Sequence, residues 1–351
     1  MFKTIEESKL SGLHLFSDPE LQLRAVIAIH NTDLGPAIGG CRCITYENES
    51  AAINDVIRLA KGMSYKAALA GIPHGGAKSV IMCPNEIKDR HAFFQQFGEF
   101  VNTLNGRYIT SVDSGTNIAD MDDISLRTPY VCGTSNDGCK PSPFTALGVF
   151  EGLKAAARVK LKRHDIEGLH VAIQGIGNVG SELARMLINV GAKLTIADVS
   201  NSHLKNFLDT IEHPEHINVV HPDEVYDTNC DVFSPCGLGS ILNKKTIPRL
   251  KCSVVAGSAN NQLAEESDGD LMYEHNITYA PDYVLNAGGL INVSLAYEGK
   301  ADSEVEEKTR LIGTTIESLL QRAQTEKTPS NIIANNIAEK LLYGESISTT
   351  G

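Results

Sequence analysis

The sequence HVAIQGIGNVG at residues 170–180 decides the fold of the second half of the chain. Residues 169–174 are an apolar, β-branched run that predicts a strand, and the glycine pattern follows it directly. Residues 181–190 then show apolar side chains at helical spacing, and a second strand at residues 193–197 ends at Asp198. This order of strand, turn, helix and strand predicts a βαβ unit of a doubly wound parallel sheet that binds a dinucleotide.

Each glycine of the turn has its own predicted role in holding that dinucleotide. Gly175 makes the tight turn, Gly177 lets the backbone approach the pyrophosphate, and Gly180 allows the helix to pack closely on the strand. The unpaired N–H groups at the start of the helix, at Asn178 and Val179, face the phosphates. A turn with a purely structural role remains the alternative.

The acidic residue that follows the second strand favours NAD over NADP. Asp198 lies eighteen residues after the last glycine of the turn. A carboxylate there hydrogen-bonds the adenosine ribose hydroxyls and repels a 2′-phosphate. No arginine follows in residues 199–201. We therefore expect NAD as the cofactor, and a nicotinamide site implies hydride transfer.

Two lysines in the first half of the chain, Lys66 and Lys78, lie among apolar residues, which is unusual for lysine. Lys66 falls on the last turn of a helix predicted from about Ser50. Lys78 follows a glycine-rich turn and opens a predicted strand at residues 79–82. Burial near a second cation lowers the pKa of a lysine and makes it available as a base or a nucleophile. Two ordinary lysines that flank a buried strand are the alternative.

Asp113 is the third candidate in this half. It ends a predicted strand at residues 108–112 and precedes Ser-Gly-Thr, in a loop at the carboxyl edge of a sheet. There it could hold one lysine ammonium group and pass protons to the other. A turn-capping aspartate is the alternative. The acidic run at residues 120–123 predicts a solvated helix start.

Together these groups indicate one type of reaction. Hydride removal from the α-carbon of an amino acid gives an iminium, and attack of water on it gives a 2-oxo acid and ammonia. That chemistry needs an anchor for the carboxylate, a base and a proton shuttle. Lys66, Lys78 and Asp113 can fill these roles in that order.

Composition argues against several other classes of protein. A formal net charge of −12 at pH 7 disfavours nucleic acid or an anionic membrane as a partner. We find neither an export signal nor an apolar run long enough to span a bilayer, so we expect a cytoplasmic protein. The eight cysteines are then expected to be reduced, and their spacing predicts no metal site.

A chain of 351 residues is expected to form two domains. Residues 133–143 are rich in Gly, Pro, Ser and Asn, which is typical of an interdomain connection. We expect an α/β protein in which residues 1–135, together with a C-terminal helix at about 328–351, form the first domain. Residues 136–327 form the dinucleotide-binding domain.

Eight short blocks occur along the chain in the order found in one enzyme family. They are residues 34–40, 62–66, 75–78, 113–116, 141–146, 175–180, 257–262 and 281–289. On these blocks the chain resembles the amino-acid dehydrogenases that act on leucine, valine, phenylalanine and glutamate, and it is most similar to the leucine/phenylalanine branch. The resemblance covers nearly the whole chain.

This resemblance implies a fold and a set of contacts. The first domain would bind substrate and form a homo-oligomer, the second would be a Rossmann domain, and the active-site cleft between them would close over the substrate. Lys66 would bind the substrate carboxylate, Lys78 would be the catalytic base and Asp113 would transfer protons. The further implied contacts are Gly39 and Gly40 beside the substrate, and Thr145, Asn261 and Asn286 on the nicotinamide half of NAD.

The resemblance also indicates which substrates fit. The positions that match the side-chain pocket are Ile38, Met63, Val112, Leu290 and Val293, and all are apolar. An apolar wall excludes an acidic substrate such as glutamate, which needs a cationic partner. We expect reversible deamination of an apolar L-amino acid of the leucine, valine or isoleucine type. A phenylalanine or other aromatic amino-acid dehydrogenase, and a non-catalytic NAD-binding sensor, are the alternatives.

Overall fold

The structure is a computed structural model that describes residues 2–344. These residues form two compact units, and the chain passes between the units more than once. The first unit comprises residues 2–140, 292–302 and 338–344, and the second comprises residues 141–291 and 303–337. Residues 345–351, the end of the predicted C-terminal segment, lie outside the described part of the chain.

The first unit is built on a mixed five-stranded sheet. Its strands are β1 Gly12–Asp18, β2 Leu23–Asn31, β3 Ala37–Ile44, β4 Gly75–Met82 and β5 Tyr108–Val112, and their order in the sheet is β1-β2-β4-β3-β5. Strand β3 runs parallel to both β4 and β5, whereas β2 is antiparallel to β1 and β4. The helices of this part are α1 Phe2–Glu7, α2 Glu49–Ala70, α3 Arg90–Asn102 and α4 Ile118–Ser125.

Helices cover both faces of this sheet. Ile27 and Ile29 of β2 belong to the same apolar cluster as Phe93 of α3, whereas Val26 belongs to a second cluster with Val56 of α2. Because successive strand residues point to opposite faces, a strand buried on both sides is apolar throughout. This explains why residues 25–29 of β2 are a continuous apolar run. It also means that a charged side chain in the central strands is an exception that needs a partner.

The second unit is built on a six-stranded, wholly parallel sheet. Its strands are β6 His170–Gln174, β7 Lys193–Ala197, β8 Asn218–Val219, β9 Val232–Pro235, β10 Val254–Val255 and β11 Thr278–Tyr279. Their order is β11-β10-β9-β6-β7-β8, so the direction of winding reverses between β6 and β9. The predicted α/β class and the doubly wound, Rossmann-like sheet are confirmed. In such sheets ligands bind at the carboxyl ends of the strands, where the winding reverses.

The remaining helices surround this sheet or pass from one unit to the other. They are α5 Pro141–Leu161, α6 Asn178–Asn189, α7 Asn201–Leu208, α8 Asp268–Glu274, α9 Asp282–Leu285, α10 Gly288–Tyr297, α11 Asp302–Glu326 and α12 Ser330–Tyr343, with short 3-10 turns at Pro214–His216, Glu224–Asp227 and Ile247–Arg249. The chain leaves the second unit within α10 and again within α12.

The acidic run at residues 120–123 differs from its prediction in one respect. It lies in a helix start, since Asn117 caps α4 and forms a capping box with Asp120. It is not solvated, however, because Asp120 and Asp123 are buried. Asp120 pairs with Arg90, whose Nε lies 2.6 Å from Oδ1. The buried charge is therefore compensated by a cation from α3.

Three further properties of the described residues bear on function. No helix within residues 2–344 has the length and apolarity needed to cross a membrane. All eight cysteines are free thiols. Over the same described range, no group of three or more His, Cys, Asp or Glu side chains is arranged so that it could hold a metal ion.

Candidate active site

Lys78 and Asp113 form an ion pair in the first unit. Lys78 Nζ contacts Asp113 Oδ2 directly. Lys78 is only 5% exposed, and the side chain of Asp113 is 18% exposed. Lys78 lies within β4 and Asp113 directly follows β5, with β3 between the two strands. The structure therefore brings these two predicted residues together across an intervening strand.

Gly40 in that intervening strand provides the space for the pair. It lies opposite Ser111 of β5, and its neighbour Cys41 lies opposite Ser79 of β4. A Cβ at Gly40 would lie 2.8 Å from the Cβ of Asp113 and 3.0 Å from its Oδ2. A side chain at this position would displace the carboxylate from Lys78, which is a physical reason for glycine here.

Gly39 is held tightly by backbone and by a buried tyrosine. A Cβ at Gly39 would overlap the carbonyl oxygen of Ala77, which precedes Lys78. The hydroxyl of the fully buried Tyr108 in β5 donates to the Gly39 carbonyl at 2.7 Å, and it lies 2.8 Å from Ser79 Oγ. This network fixes the backbone of β3 and β4 beside the ion pair.

The carboxyl group of Asp113 is strongly biased toward its ionised form. Burial alone would raise its pKa. The charge and hydrogen bond of Lys78, the Ser114 N–H, which donates to Oδ1 at 2.6 Å, and the charge of Arg42 outweigh burial and lower the pKa of Asp113 to about 2. Asp113 is therefore a carboxylate at neutral pH.

Arg42 is a charged residue of this site that the sequence prediction omitted. Its Nε lies 3.2 Å from Asp113 Oδ1, and its Nη1 lies 2.9 Å from Asp55 Oδ2. Asp55, in α2, also accepts from the Tyr46 hydroxyl at 2.7 Å and from Arg58 Nη2 at 2.9 Å. One signal was present in the sequence, because an arginine inside an otherwise apolar strand is rare without a buried partner.

Lys66 lies near the C-terminal end of α2, where it is half-buried. The helix ends at Gly71, whose φ of 61° is the left-handed conformation that glycine favours. Ser64, two residues before Lys66, lies against β4, because a Cβ at Gly76 would overlap the nitrogen and Oγ of Ser64. Lys78 is two residues beyond Gly76, so this close approach fixes α2 beside the strand that carries Lys78.

The predicted side-chain pocket residues have different degrees of burial. Leu290 belongs to the second unit and the other residues to the first. Ile38 and Leu290 are buried, Met63 and Val293 are half-buried, and Val112 is exposed.

The three glycines of the dinucleotide turn have three different environments. Gly175 has a φ of +97° and follows β6 at the point where the winding reverses, and its Cβ would lie 2.7 Å from Gly237 N after β9. A Cβ at Gly180 would overlap the carbonyl oxygen of Gly175, so α6 packs on the turn itself. A Cβ at Gly177 would meet none of the described atoms within 4 Å, so the backbone faces open space there.

Asp198 follows β7 and is tied to the same turn. Its Oδ2 accepts from the Ile176 N–H at 2.7 Å, and its Oδ1 accepts from the Ser200 N–H at 2.7 Å. His203 Nδ1 lies 3.4 Å from Oδ1. These contacts hold a carboxylate beside the middle of the glycine turn, at the carboxyl edge of the sheet.

Three other predicted cofactor residues lie in the second unit. Asn286 is buried, and its Nδ2 donates to the Ser258 carbonyl at 3.1 Å and to Asn260 Oδ1 at 2.8 Å. Its own Oδ1 is buried without a hydrogen-bond partner among the described residues. Asn261 is exposed in the loop after β10, and Thr145 lies in the first turns of α5.

Comparison with known proteins identifies the family. The model of the Glu/Leu/Phe/Val dehydrogenase dimerisation domain matches residues 18–129. The model of glutamate/leucine/phenylalanine/valine dehydrogenase matches residues 141–202 and 194–341. The chain belongs to the Glu/Leu/Phe/Val dehydrogenase family. It is an NAD(P)-dependent amino-acid dehydrogenase.

Relatives of this dehydrogenase are named for different substrates. It is 44% identical to leucine dehydrogenase of Thermoactinomyces intermedius, over 97% of this chain and 93% of the relative. It is 38% identical to phenylalanine dehydrogenase of Caldalkalibacillus thermarum, over 93% and 89% of the two chains. The crystal structure of L-tryptophan dehydrogenase from Nostoc punctiforme superposes with a TM-score of 0.86 at 38% identity, covering 97% of this chain and 98% of that one.

The residues of the second unit fit a nicotinamide dinucleotide. The open space at Gly177 lies at the N-terminus of α6, where unpaired N–H groups favour phosphate. The unpaired Oδ1 of Asn286 is a buried acceptor, and buried acceptors normally have a donor. A carboxamide N–H supplies such a donor. The open space at Gly177 and the buried acceptor at Asn286 therefore fit the phosphates and the carboxamide of such a cofactor.

Proposed function

We propose that the enzyme catalyses the NAD-dependent, reversible oxidative deamination of an apolar L-amino acid to the 2-oxo acid and ammonia, with leucine, valine and isoleucine as preferred substrates. The observation that carries this proposal is the buried Lys78–Asp113 pair beside Gly40. A buried lysine and carboxylate in contact supply the base and the proton relay that deamination needs.

The reaction divides among three side chains of the first unit. Bound NAD supplies the acceptor for the hydride that leaves the substrate α-carbon. Lys66 holds the substrate carboxylate as an ammonium group. Lys78 Nζ, once it has lost its proton, takes a proton from the water that attacks the iminium carbon. Asp113 relays that proton from Lys78 to the nitrogen of the resulting carbinolamine. The C–N bond then breaks as Lys78 takes the hydroxyl proton, which yields the 2-oxo acid and ammonia.

The same proposal assigns the residues that hold NAD. Gly175, Gly177 and Gly180 form the turn around the pyrophosphate, and the N–H groups of Asn178 and Val179 donate to it. Asp198 faces the adenosine ribose, where its negative charge disfavours a 2′-phosphate. Thr145, Asn261 and Asn286 contact the nicotinamide half.

The choice of substrate side chain rests on the apolar positions. Ile38, Met63, Val112, Leu290 and Val293 offer no cation to an acidic side chain. The leucine dehydrogenase relative supports an aliphatic substrate. The second candidate is an aromatic amino acid, which the phenylalanine and tryptophan dehydrogenase relatives favour. Gly39 and Gly40 border the substrate in either case.

We also propose that the enzyme is a homo-oligomer. The family model that matches residues 18–129 is described as a dimerisation domain. Size-exclusion chromatography with light scattering tests this, and a monomeric mass would contradict it.

A substrate panel tests the proposed function. NADH formation is followed with L-leucine, valine, isoleucine, phenylalanine, tryptophan and glutamate at alkaline pH, for wild type, Lys78→Ala and Lys88→Ala. Lys88 is an exposed lysine between β4 and α3, so its variant is the matched control. We expect turnover fastest with the aliphatic substrates, lost in Lys78→Ala and kept in Lys88→Ala.

Each other outcome has a definite meaning. Faster turnover of phenylalanine or tryptophan supports the aromatic alternative. NAD binding without turnover of any amino acid supports the non-catalytic sensor. Equal activity of Lys78→Ala and wild type contradicts the assigned base, and faster reduction of NADP than of NAD contradicts the role of Asp198.

A further inference from the structure

Arg42 connects the ion pair of the active site to helix α2. It lies in β3, and its guanidinium lies between two carboxylates, with Nε 3.2 Å from Asp113 Oδ1 and Nη1 2.9 Å from Asp55 Oδ2. From Lys78 outward, the charges therefore alternate in the order Lys78, Asp113, Arg42, Asp55 and then Arg58.

The inner part of this chain of charges is shielded from solvent, whereas its outer end is not. The side chain of Arg42 is 20% exposed and that of Asp55 is 16% exposed, but that of Arg58 is 59% exposed. Partly buried charges are poorly screened by water and salt. Arg42 and Asp55 therefore act on the site electrostatically, whereas Arg58 is largely screened.

The proposed reaction requires that Lys78 be able to give up its proton within this chain of charges. Lys78 must lose its proton while it touches the Asp113 carboxylate, and a lone carboxylate would stabilise the protonated lysine. Arg42 places a permanent positive charge on the other oxygen of the same carboxylate. That charge offsets part of the stabilisation and fixes the direction of the carboxylate through a second hydrogen bond.

We propose that Arg42 is a positioning residue of the deamination reaction: it holds Asp113 from the side opposite Lys78, so that Lys78 can lose its proton while Asp113 stays ionised. Asp55 holds Arg42 in this position from α2. The inference rests on the proposed function, because it assigns Arg42 a role through the base and the proton relay of that reaction.

The other titratable and charged groups near these residues come from three elements, and their charges also act on the proton affinity of Lys78. They are the Cys41 thiol from β3, Asp55 from α2 and Asp120 from α4. None of them is altered in the variants that test Arg42, except Asp55, which is altered on purpose.

The test compares pH profiles of kcat/KM for oxidative deamination. The acid limb of this profile reports the base that must be deprotonated in the free enzyme. Arg42→Met removes a positive charge, so the acid limb moves to higher pH, by about one unit. Asp55→Asn removes a negative charge on the far side of Arg42, so the limb moves to lower pH, by about half a unit. Arg58→Met is the matched control, since it removes an arginine that also contacts Asp55, and it leaves the limb unchanged.

Arg42→Lys separates geometry from charge. A lysine keeps the positive charge but cannot span both carboxylates as a guanidinium does. We expect its acid limb to stay at the wild-type pH while kcat falls about tenfold, with KM for NAD unchanged. If Arg42→Met does not fold, two predictions still test the proposal. One is the shift of the acid limb to lower pH in Asp55→Asn, and the other is the fall in kcat without a shift of the acid limb in Arg42→Lys.

Two results distinguish failure of this inference from failure of the proposed function. Acid limbs of Arg42→Met and Asp55→Asn that coincide with the wild-type limb, or that move in the same direction, overturn the role of Arg42 while the enzyme remains a deaminating dehydrogenase. A wild type that binds NADH yet turns over no amino acid overturns the proposed function, and the role of Arg42 with it. Thermal melting of each variant confirms that it is folded.

Discussion

Ser64 of α2 and Gly76 of β4 approach each other so closely that a Cβ at Gly76 would overlap the backbone nitrogen of Ser64. Lys66 lies two residues beyond Ser64, and Lys78 lies two residues beyond Gly76. One backbone-to-backbone contact thus sets the position of both lysines. The helix and strand are joined only by the short turn at residues 71–74, so neither can shift far without the other.

Gly76→Ala should therefore be strongly destabilising. The added methyl group meets the backbone of Ser64 as well as its Oγ, and a backbone cannot turn aside as a side chain can. Helix α2 must therefore move away from β4, which costs about 1–3 kcal/mol of unfolding free energy or more. Gly62→Ala is the matched control, because Gly62 is exposed in the same helix and a Cβ there meets none of the described atoms within 4 Å. It should stabilise by about 0.5–1 kcal/mol. Urea unfolding measures both, and equal effects would contradict the close approach.

Gly177→Ala and Gly180→Ala should separate cofactor binding from stability. Gly177→Ala places a methyl group in open space, so the melting temperature should stay within about 1 °C while the affinity for NADH falls at least about tenfold. Gly180→Ala collides with the Gly175 carbonyl, so its melting temperature should fall by several degrees, roughly 2–4 °C per kcal/mol. NADH fluorescence titration and calorimetry check this pair. A stable Gly177→Ala protein with wild-type NADH affinity would show that the phosphates bind elsewhere.

Asn286→Ala should weaken the binding of the nicotinamide half of NADH. It removes the buried Oδ1 that has no partner among the described residues, and loss of one hydrogen bond to the carboxamide lowers NADH affinity about tenfold. ADP-ribose has no nicotinamide, so its affinity should be unchanged. Calorimetric titration with both ligands makes the comparison within one variant. An equal loss of affinity for ADP-ribose would mean that Asn286 supports the loop that contains Ser258 and Asn260, and does not contact the nicotinamide ring.

His30 should make the protein less stable as the pH falls from about 6.5 to 4. It is buried, with Nδ1 2.8 Å from Ser64 Oγ, and burial, followed by the charges of Lys61 and Lys9, lowers its pKa to about 4. In this window the unfolded chain binds a proton that the folded protein does not bind. The free energy of unfolding therefore falls by up to about 3 kcal/mol.

The measurement is urea unfolding at pH 4, 5, 6.5 and 7.5 for wild type, His30→Gln and His164→Gln. The slope between pH 4 and 6.5 should be smaller in His30→Gln, because the group that changes its proton binding is gone. His164 is exposed, so its variant should keep the wild-type slope. Identical slopes in all three proteins would show that His30 does not titrate on unfolding.

The sequence was sufficient to predict the strand–turn–helix structure around the three glycines because its evidence is local. Strand, glycines and helix follow one another within residues 169–190, and the φ of +97° at Gly175 is what the pattern requires. Asp113 was also predictable, since it directly follows a strand of buried residues. Its contact with Lys78 was a hypothesis about two elements that converge, and the structure brings the two side chains together.

The parts that were missed depend on strand order and on partners distant in sequence. Arg42 meets Asp113 across 71 positions, because β3 and β5 are neighbours in the sheet. The local sequence pattern does not indicate that β3 and β5 are adjacent strands. Asp120 appeared solvated for the same reason, since its partner Arg90 comes from another helix, 30 positions earlier. The crowding at Gly40 and Gly76 likewise exists only once the strands are paired.

The division of the chain into interrupted units has a consequence for synthesis on the ribosome. Residues 292–302 and 338–344 belong to the first unit, and all of them are translated after most of the second. Tyr65 Oη donates to Glu339 Oε1, and Tyr343 Oη lies 3.2 Å from His30 Nε2. The first part of the chain to emerge must therefore wait for the last described helix before its packing is complete. A fragment cut after residue 140 lacks those pieces, so we expect it to be recovered as a partly folded species that requires the remainder of the chain in trans.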